Sequence, residues 1–221
     1  NTGEAEAVLL DEAYLTDIRT GLAGAVAAKH LAPSRVDRIG MLGSGTQARV
    51  QLECLAPLID CRDLLIFGRS EQAVDSLRLY SEALGYQVAV ARTPDELVET
   101  CDLIVTTTAS THPLLDLENY SGRGMHITAV GSDTPHKQEL TARSLVRADV
   151  LVADSRSQCE SRGEIHHALT GKLIESADVL ELGNIISHVS TGRSSDDQLT
   201  ICDLTGVAVQ DIQIAKAVFS A

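Results

Sequence analysis

A glycine-rich turn between an apolar run and an amphipathic segment constrains this chain more than any other feature. The apolar run covers residues 38–42, the turn reads Gly-Ser-Gly-Thr-Gln-Ala over residues 43–48, and the amphipathic segment covers residues 49–58. This order predicts a strand, a tight turn and a helix. Gly43 and Gly45 would let the backbone approach a pyrophosphate, to which the helix N-terminus offers unpaired N–H groups. The alternative is a turn that serves only close packing of the strand against the helix.

The composition favours an aliphatic core and argues against nucleic acid as a partner. Apolar residues make up 44% of the 221 residues, but only 3% are aromatic and Trp is absent. Cores of this kind are typical of buried parallel strands. The net charge of −13 is the opposite of the Lys and Arg excess that phosphate binding needs.

Cysteine usage and hydropathy predict a cytoplasmic protein without a membrane partner. The five cysteines show no C-x-x-C spacing, which favours reduced thiols. No apolar run has the length of a membrane span, and no signal peptide is recognisable. Because the sequence starts abruptly at Asn1, we expect that an N-terminal portion precedes it.

Strand and helix patterns alternate along most of the chain. Strands are predicted at residues 6–10, 37–42, 63–67, 87–91, 103–106, 125–130, 150–153 and 199–203. Helices are predicted at residues 17–31, 47–58, 71–84, 138–146, 155–169 and 207–219, and another starts with Thr93 as cap, Pro94 in first position and Glu96 in a capping box. Strands separated by helices predict an α/β fold, a doubly wound parallel sheet in three α/β/α layers.

In such a sheet the ligand lies beyond the carboxyl ends of the strands. The strand at residues 63–67 is followed by Gly68, Arg69 and Ser70. About 20 residues past a glycine turn, NAD enzymes usually carry an acidic residue for the ribose 2′-hydroxyl. Since that place holds no carboxylate, Arg69 and Ser70 could accept a 2′-phosphate, which favours NADP over NAD. The alternative is that Arg69 is an exposed loop arginine.

The loop after residues 125–130 is the richest in chemical groups. It places Asp133, His136 and Lys137 within five residues. Asp133 is a candidate general acid or base whose pKa would be tuned by burial and by Lys137. The alternative is that Asp133 and Thr134 cap a following helix while Lys137 is solvated. Adjacent histidines at residues 166–167 lack a supporting ligand set, so no metal site is predicted.

Several motifs together resemble the ornithine cyclodeaminase/mu-crystallin family. They are Arg19-Thr20 at a helix start, the glycine turn, residues 102–109, Gly-Ser-Asp-Thr-Pro-His-Lys-Gln-Glu at residues 131–139, and residues 203–211. The resemblance covers essentially the whole chain in order and is more specific than a generic dinucleotide fingerprint. Residues 14–20 and 157–168 most resemble the ectoine-utilisation branch.

The resemblance implies a homodimer whose subunits pair a Rossmann domain with an N-terminal substrate and dimerisation domain. Residues 1–221 resemble the Rossmann domain, with an N-terminal strand and helix and a C-terminal return, and not the substrate domain. The implied activity is a nicotinamide-dependent oxidoreductase on a C–N bond of a small amino or imino acid. Two alternatives are a cyclodeaminase, an ammonia-lyase that recycles bound NAD, and a mu-crystallin-like protein that binds NADP(H) or a small ligand without significant turnover.

By position, the resemblance assigns the catalytic acid or base to Asp133. Together with the turn and strand-end patterns, it assigns cofactor contacts to Arg19, Thr20, Gly43, Gly45, Thr46, Gln47, Gly68, Arg69, Ser70, Thr108, Thr128, Ala129, Val130 and Lys137. Arg19 and Thr20 would contact the phosphates, and residues 128–130 would line the nicotinamide pocket. Lys137 would close over the cofactor.

Three positions depart from the family pattern. Gly68 stands where the cyclodeaminase has Asp, Leu204 where many members have Ser, and His136 where many have Gly. The first departure bears on the choice between NAD and NADP. The second removes a hydroxyl contact to the cofactor, and the third narrows the substrate pocket.

Overall fold

Strands and helices alternate along the part of the chain that the computed structural model describes, residue 3 and residues 6–220. The strands are β1 (Ile39–Leu42), β2 (Asp63–Phe67), β3 (Gln87–Val90), β4 (Leu103–Thr106), β5 (Met125–Ala129), β6 (Val150–Ala153), β7 (Leu180–Glu181) and β8 (Leu199–Asp203). The helices are α1 (Tyr14–Leu31), α2 (Thr46–Leu55), α3 (Glu71–Ala83), α4 (Asp95–Thr100), α5 (Ala142–Val146), α6 (Arg156–Cys159), α7 (Gly163–Thr170), α8 (Leu182–Ile186) and α9 (Ala208–Phe219). A 3₁₀ turn covers Ser176–Asp178.

The eight strands form one sheet in the order β3-β2-β1-β4-β5-β8-β6-β7. Every strand pair of the described chain is parallel. The order reverses between β1 and β4, because the chain first builds outward to β3 and then returns to the other side of β1. The predicted doubly wound α/β fold is confirmed, and this reversal is the place where such sheets leave a crevice for a ligand.

Successive residues of the central strands point to opposite faces, and each face has its own apolar core. On one face, Met41 packs in a cluster with Leu52 of α2 and residues of α1, α3 and α8. On the other face, Leu42 belongs to a cluster with Leu97 of α4 and residues of α5 and α7. Covering both faces buries the central strands, which is why they read as continuous aliphatic runs.

The predicted N-terminal strand at residues 6–10 is wrong. These residues have no regular structure and are exposed, with Val8 and Leu10 at 77% and 93% exposure. The apolar pattern fails because the segment does not pair with the sheet. The helix behind it begins at Tyr14, three residues before the predicted start, since the Asp11 carboxylate accepts the N–H of Leu15 at 2.7 Å.

The predicted helix at residues 138–146 is reduced to α5. The reason is a parallel bridge between Leu115 and Leu140, which holds the preceding residues in extended backbone. The N–H of Leu115 donates to the carbonyl of Glu139, and the N–H of Thr141 donates to the carbonyl of Leu115. These long-range bonds outweigh local helix preference.

The remaining departures concern helix ends and the sheet edge. The predicted helix at residues 155–169 is divided into α6 and α7, and α7 starts at Gly163, whose φ of +88° interrupts a continuous helix. Helix α4 begins at Asp95 without a side-chain cap, so the predicted Thr93 cap is absent. The sequence patterns missed β7 and α8. The edge strand β7 has two residues and is too short to show the alternating hydrophobic pattern of a strand.

The last residue of β8, Asp203, is a buried carboxyl group beneath α7. Its Oδ2 accepts the N–H of Ile165 at 2.9 Å, while Oδ1 is buried without a hydrogen-bond partner among the described residues. Burial, reinforced by the neighbouring carboxylates of Asp154 and Glu139, raises the pKa of Asp203 from 3.8 to about 8. The group is therefore largely neutral at pH 7.

We expect the folded protein to lose stability at Asp203 as the pH rises. The folded state binds this proton more tightly than the unfolded state, so the contribution is complete below pH 3.8 and is lost as the pH rises through about 8. Asp203→Asn should flatten the fall in melting temperature between pH 5 and 8, measured by thermal unfolding. The exposed Asp60→Asn serves as control. A curve for Asp203→Asn parallel to the wild type would contradict this assignment.

We expect Gly124→Ala to destabilise the fold more than Gly122→Ala. Both glycines have positive φ, but a Cβ at Gly124 would lie 1.8 Å from the carbonyl oxygen of Asp196, while one at Gly122 would meet nothing within 4 Å. The shared backbone strain costs about 1–2 kcal/mol, and the clash adds about 1–3 kcal/mol. Denaturant unfolding measures both, and equal losses would show that the Asp196 loop yields freely.

Candidate functional site

A cavity of about 270 Å³ lies at the carboxyl ends of the central strands. Its walls come from α1, from the turn after β1, from the loops after β4 and β5, and from the segment after β8. Seven of the predicted site residues line it: Arg19, Thr20, Gln47, Thr108, Val130, Asp133 and Lys137. The fold therefore brings together residues that are far apart in the sequence.

The glycine turn is shaped for close approach of a ligand to the backbone. Gly43 has a φ of +114°, and a Cβ there would lie 2.5 Å from Oγ1 of Thr107. A Cβ at Gly45 would meet nothing within 4 Å, and α2 begins at Thr46 without a side-chain cap. The turn thus leaves open space beside helix N–H groups, which is the arrangement that binds a pyrophosphate.

The end of β2 lies beside this turn. A Cβ at Gly68 would lie 2.9 Å from Oγ of Ser44 and 2.8 Å from Cγ2 of Val74, so a larger residue would press on the turn. Ser70 caps α3 by accepting the N–H of Ala73 at 3.4 Å. Arg69 is exposed and forms no ion pair with residues that the structure describes, as in the loop-arginine alternative.

Two side chains of α1 that were predicted to contact phosphates are already engaged. The Arg19 side chain is 16% exposed; its Nε donates to Oδ1 of Asp211 at 3.0 Å and its Nη1 to Oε1 of Gln210 at 3.2 Å. Thr20 donates its hydroxyl to the carbonyl of Thr16 at 2.7 Å. Arg19 keeps a fixed position at the cavity through residues of α9.

Gln47 extends from the glycine turn towards α1. Its Nε2 donates to Oδ1 of Asp17 at 2.8 Å. Its Oε1 is buried and has no hydrogen-bond partner among the described residues. A buried amide oxygen without a donor is rare, and here it belongs to a side chain that lines the cavity.

Asp133 and Lys137 form an ion pair at 2.7 Å. The Asp133 side chain is 54% exposed, so the predicted burial of this carboxyl group is not present in this structure. No helix begins at residue 138, so the alternative in which Asp133 and Thr134 cap such a helix does not arise. Instead, two contacts to the backbone carbonyl of Lys137 hold the loop. The carbonyl accepts a hydrogen bond from the hydroxyl of Ser132 at 2.6 Å and lies 2.8 Å from Nε2 of His167.

Thr128 and Ala129 do not line the cavity, contrary to the prediction. They belong to β5, which is covered on both faces, and they are 0% and 1% exposed. The Thr128 hydroxyl is 3.0 Å from Nε2 of His126 inside the sheet, where burial lowers the pKa of His126 to about 3. The remaining predicted residues belong to the glycine turn or follow β2, and they do not line the cavity: Gly43, Gly45, Thr46, Gly68, Arg69 and Ser70.

Two buried glutamates, one of which bonds the loops of the cavity, were not predicted from the sequence as candidate site residues. Glu139 and Glu164 are both 0% exposed, and burial raises the pKa of each, for Glu164 with the further repulsion of Asp203. Glu139 accepts hydrogen bonds from Thr106, Thr108 and Gly131. The only sequence signal was that Glu139 ends the motif that carries Asp133 and Lys137.

Two absences apply to the described part of the chain. Within residue 3 and residues 6–220, no group of three or more His, Cys, Asp or Glu side chains is placed to hold a metal ion. His166 instead lies 2.8 Å from the carbonyl of Glu160. In the same residues, no helix combines the length and apolar character needed to cross a membrane.

Known proteins resemble this chain over nearly its whole length. It is 41% identical over 223 residues to an uncharacterised cyclodeaminase of Sinorhizobium fredii, covering 99% of this chain and 66% of that protein. The iminosuccinate reductase of Paracoccus denitrificans, solved in complex with NAD+, superposes with a TM-score of 0.88 and 34% identity over 93% of this chain and 63% of that chain.

A second solved structure is similar at lower identity. The Δ1-pyrroline-2-carboxylate reductase of Thermococcus litoralis, in complex with NADH and L-proline, superposes with a TM-score of 0.88 and 25% identity. The match covers 94% of this chain and 64% of that chain. This chain therefore spans about two thirds of the length of the proteins that it resembles.

The match to a family model covers residues 1–221, and its description is the ornithine cyclodeaminase/mu-crystallin family. Two of the motifs that carry the resemblance, the glycine turn and the Asp133 loop, border the cavity. Sequence, fold and these motifs agree: the chain belongs to the ornithine cyclodeaminase/mu-crystallin family.

Proposed function

We propose that this chain is the nicotinamide-dinucleotide-binding part of an oxidoreductase acting on a C–N bond of a small amino or imino acid. The observation that carries the proposal is the cavity at the strand-order reversal, lined by the Asp133–Lys137 ion pair and by Gln47 of the glycine turn. Relatives named as reductases of imino acids, solved with NAD+ or NADH, support it.

The residues present fit a dinucleotide. The open space at Gly45 and the uncapped start of α2 suit the pyrophosphate, and Arg19, held by Asp211, places its guanidinium at the cavity. When bound, the nicotinamide supplies or accepts a hydride. The protein's task is to orient the reactants and to manage the proton.

Asp133 is proposed to manage that proton. Reduction of a C=N bond needs a proton at nitrogen as well as a hydride at carbon. A carboxyl group at the cavity can give this proton, and as a carboxylate it can stabilise an iminium ion. Because its side chain is 54% exposed, Asp133 can exchange protons with solvent, while Lys137 at 2.7 Å fixes its position.

We further propose a preference for NADP over NAD. Gly68 leaves no carboxylate at the ribose position, and the exposed Arg69 guanidinium can pair with a 2′-phosphate. The solved relatives above contain NAD+ or NADH, so the preference would be a property of this chain.

The second candidate function is a cyclodeaminase, favoured by the name of the Sinorhizobium fredii relative. In that reaction the amine at Cα is oxidised to an imine, the second amine of the substrate attacks the imine carbon, and ammonia leaves as the ring closes. The hydride then returns to the cyclic imine, so no cofactor is consumed. The same cavity serves either reaction, because the outcome depends on the second amine of the substrate.

We also propose a homodimer in the cytoplasm, and within the family the ectoine-utilisation branch. Helix α9 has no buried residue and exposes Val209, Ile212 and Phe219, which supports an interface on that side. The five cysteines are free thiols, which supports a reducing compartment.

The first test follows NADPH and NADH absorbance with full-length protein, using 2-oxo acids plus ammonia and cyclic imines as substrates. Oxidation of either cofactor supports the oxidoreductase. Ammonia release from diamino acids without net absorbance change supports the cyclodeaminase. Dinucleotide binding without either reaction would leave a binding protein similar to mu-crystallin.

Asp133→Asn should reduce kcat by about 10²–10⁴-fold, the usual contribution of a general acid or base. The dissociation constant of the dinucleotide should change little, since the carboxamide keeps the shape of the side chain. Steady-state kinetics and fluorescence titration measure the two quantities. The control is Asp60→Asn, because Asp60 is exposed and precedes the amino end of β2, whereas the cavity lies at the carboxyl ends of the strands. Unchanged kcat in Asp133→Asn would remove this role.

Arg69→Ala should raise KM for NADPH by about tenfold or more, as expected for loss of a charge-assisted bond worth about 1.5–3 kcal/mol. KM for NADH should stay the same, because NADH has no 2′-phosphate. Arg92→Ala removes another exposed arginine as the control. Equal KM changes for both cofactors, or none, would refute the NADP preference.

A further inference from the structure

We propose that Glu139 is a positioning residue whose buried carboxylate fixes the two loops that form one wall of the cavity. The loops follow β4 and β5, and they contribute Thr108, Val130, Asp133 and Lys137 to the lining. The proposal deepens the function proposed above and rests on it, since the wall is inferred to hold the dinucleotide. Glu139 itself does not line the cavity.

The Glu139 carboxylate accepts three hydrogen bonds from the ends of β4 and β5. Its Oε2 accepts the hydroxyl of Thr106 at 2.6 Å and the N–H of Gly131 at 2.8 Å. Its Oε1 accepts the N–H of Thr108 at 2.5 Å. One side chain thus joins the two loops just beyond Thr106 and Ala129, the last paired residues of β4 and β5.

Gly131 lets the two loops approach each other closely beside Glu139. A Cβ at Gly131 would lie 2.1 Å from the carbonyl oxygen of Thr108 and 2.6 Å from Cδ of Glu139. Only glycine permits this approach of the two loops. The glycine before Asp133 in the family motif therefore has a physical partner in the glutamate that ends the motif.

The Glu164 carboxyl group holds the backbone at Glu139 and Leu140. Its Oε1 accepts the N–H of Glu139 at 2.7 Å, and its Oε2 accepts the N–H of Leu140 at 3.1 Å. The carbonyl of Glu139 accepts the N–H groups of Leu114 and Leu115 at 2.7 and 2.9 Å. Both the backbone and the side chain of Glu139 are therefore held in place.

The hydrogen-bond pattern requires a carboxylate at residue 139. Both backbone partners, at Thr108 and Gly131, are N–H donors, and each bonds a different oxygen. A carboxamide would present its NH₂ group to one of them. Leaving a buried N–H without an acceptor costs about 1–3 kcal/mol, so one loop would shift.

The first test compares Glu139→Gln with wild type in full-length protein. We expect the dissociation constants of NAD(H) and NADP(H) to rise at least tenfold, and amide exchange to accelerate at Thr108 or Gly131. This pattern differs from that of Asp133→Asn, which should lose turnover and keep binding. Glu99→Gln, on the exposed surface of α4, is the control.

A second pair of variants covers the case in which Glu139→Gln does not fold. Thr106→Val removes one donor to Glu139, and Thr106→Ser keeps the hydroxyl. We expect Thr106→Val to weaken dinucleotide binding several-fold and Thr106→Ser to restore it. A purely structural role would lower the melting temperature of both variants without this difference in binding.

The outcomes separate the two proposals. Unchanged binding and unchanged amide exchange in Glu139→Gln would overturn the role of Glu139. Accelerated exchange in a protein whose wild type binds neither NAD(H) nor NADP(H) would overturn the proposed function, and with it the role of Glu139 toward the dinucleotide. Weakened binding in an enzyme with an unexpected substrate would support Glu139 and revise only the reaction.

Discussion

The parallel pairing of β1 with both β2 and β4 is the constraint on which the rest of the structure depends. Because β1 lies at the reversal of strand order, the loops after it and after β4 diverge to opposite faces of the sheet, and a crevice remains between them. The glycine turn borders this crevice because it directly follows β1. The strand order thus creates the cavity, and the side chains that line the cavity determine its chemistry.

Most of the sheet could be predicted from the sequence, but its edges could not. The aliphatic runs of β2, β4, β6 and β8 mark their residues without error, since a strand buried on both faces has one simple signature. Residues 6–10 carry a similar pattern and remain exposed. A segment forms a strand only where a partner strand is available, and the sequence of the segment alone does not show whether one is.

The site was predictable where it depends on local motifs and not where it depends on distant contacts. The pairing of Lys137 with Asp133 follows from four residues of spacing in one loop. The engagement of Arg19 with Asp211 and the bonds of Glu139 to Thr106 join segments far apart in the sequence. The Thr128 side chain bonds His126 inside the sheet, whereas Val130, two residues on, lines the cavity.

The position of β8 has a consequence for how the protein is made. This strand follows the other seven strands of the described residues along the chain, yet it lies between β5 and β6 in the interior of the sheet. While the chain emerges from the ribosome, β5 and β6 each present an unsatisfied edge until residues 199–203 are available, and such edges invite aggregation. The central part of the sheet therefore closes only after residues 199–203 have been synthesised, and a ribosome pause before them would lengthen the vulnerable period.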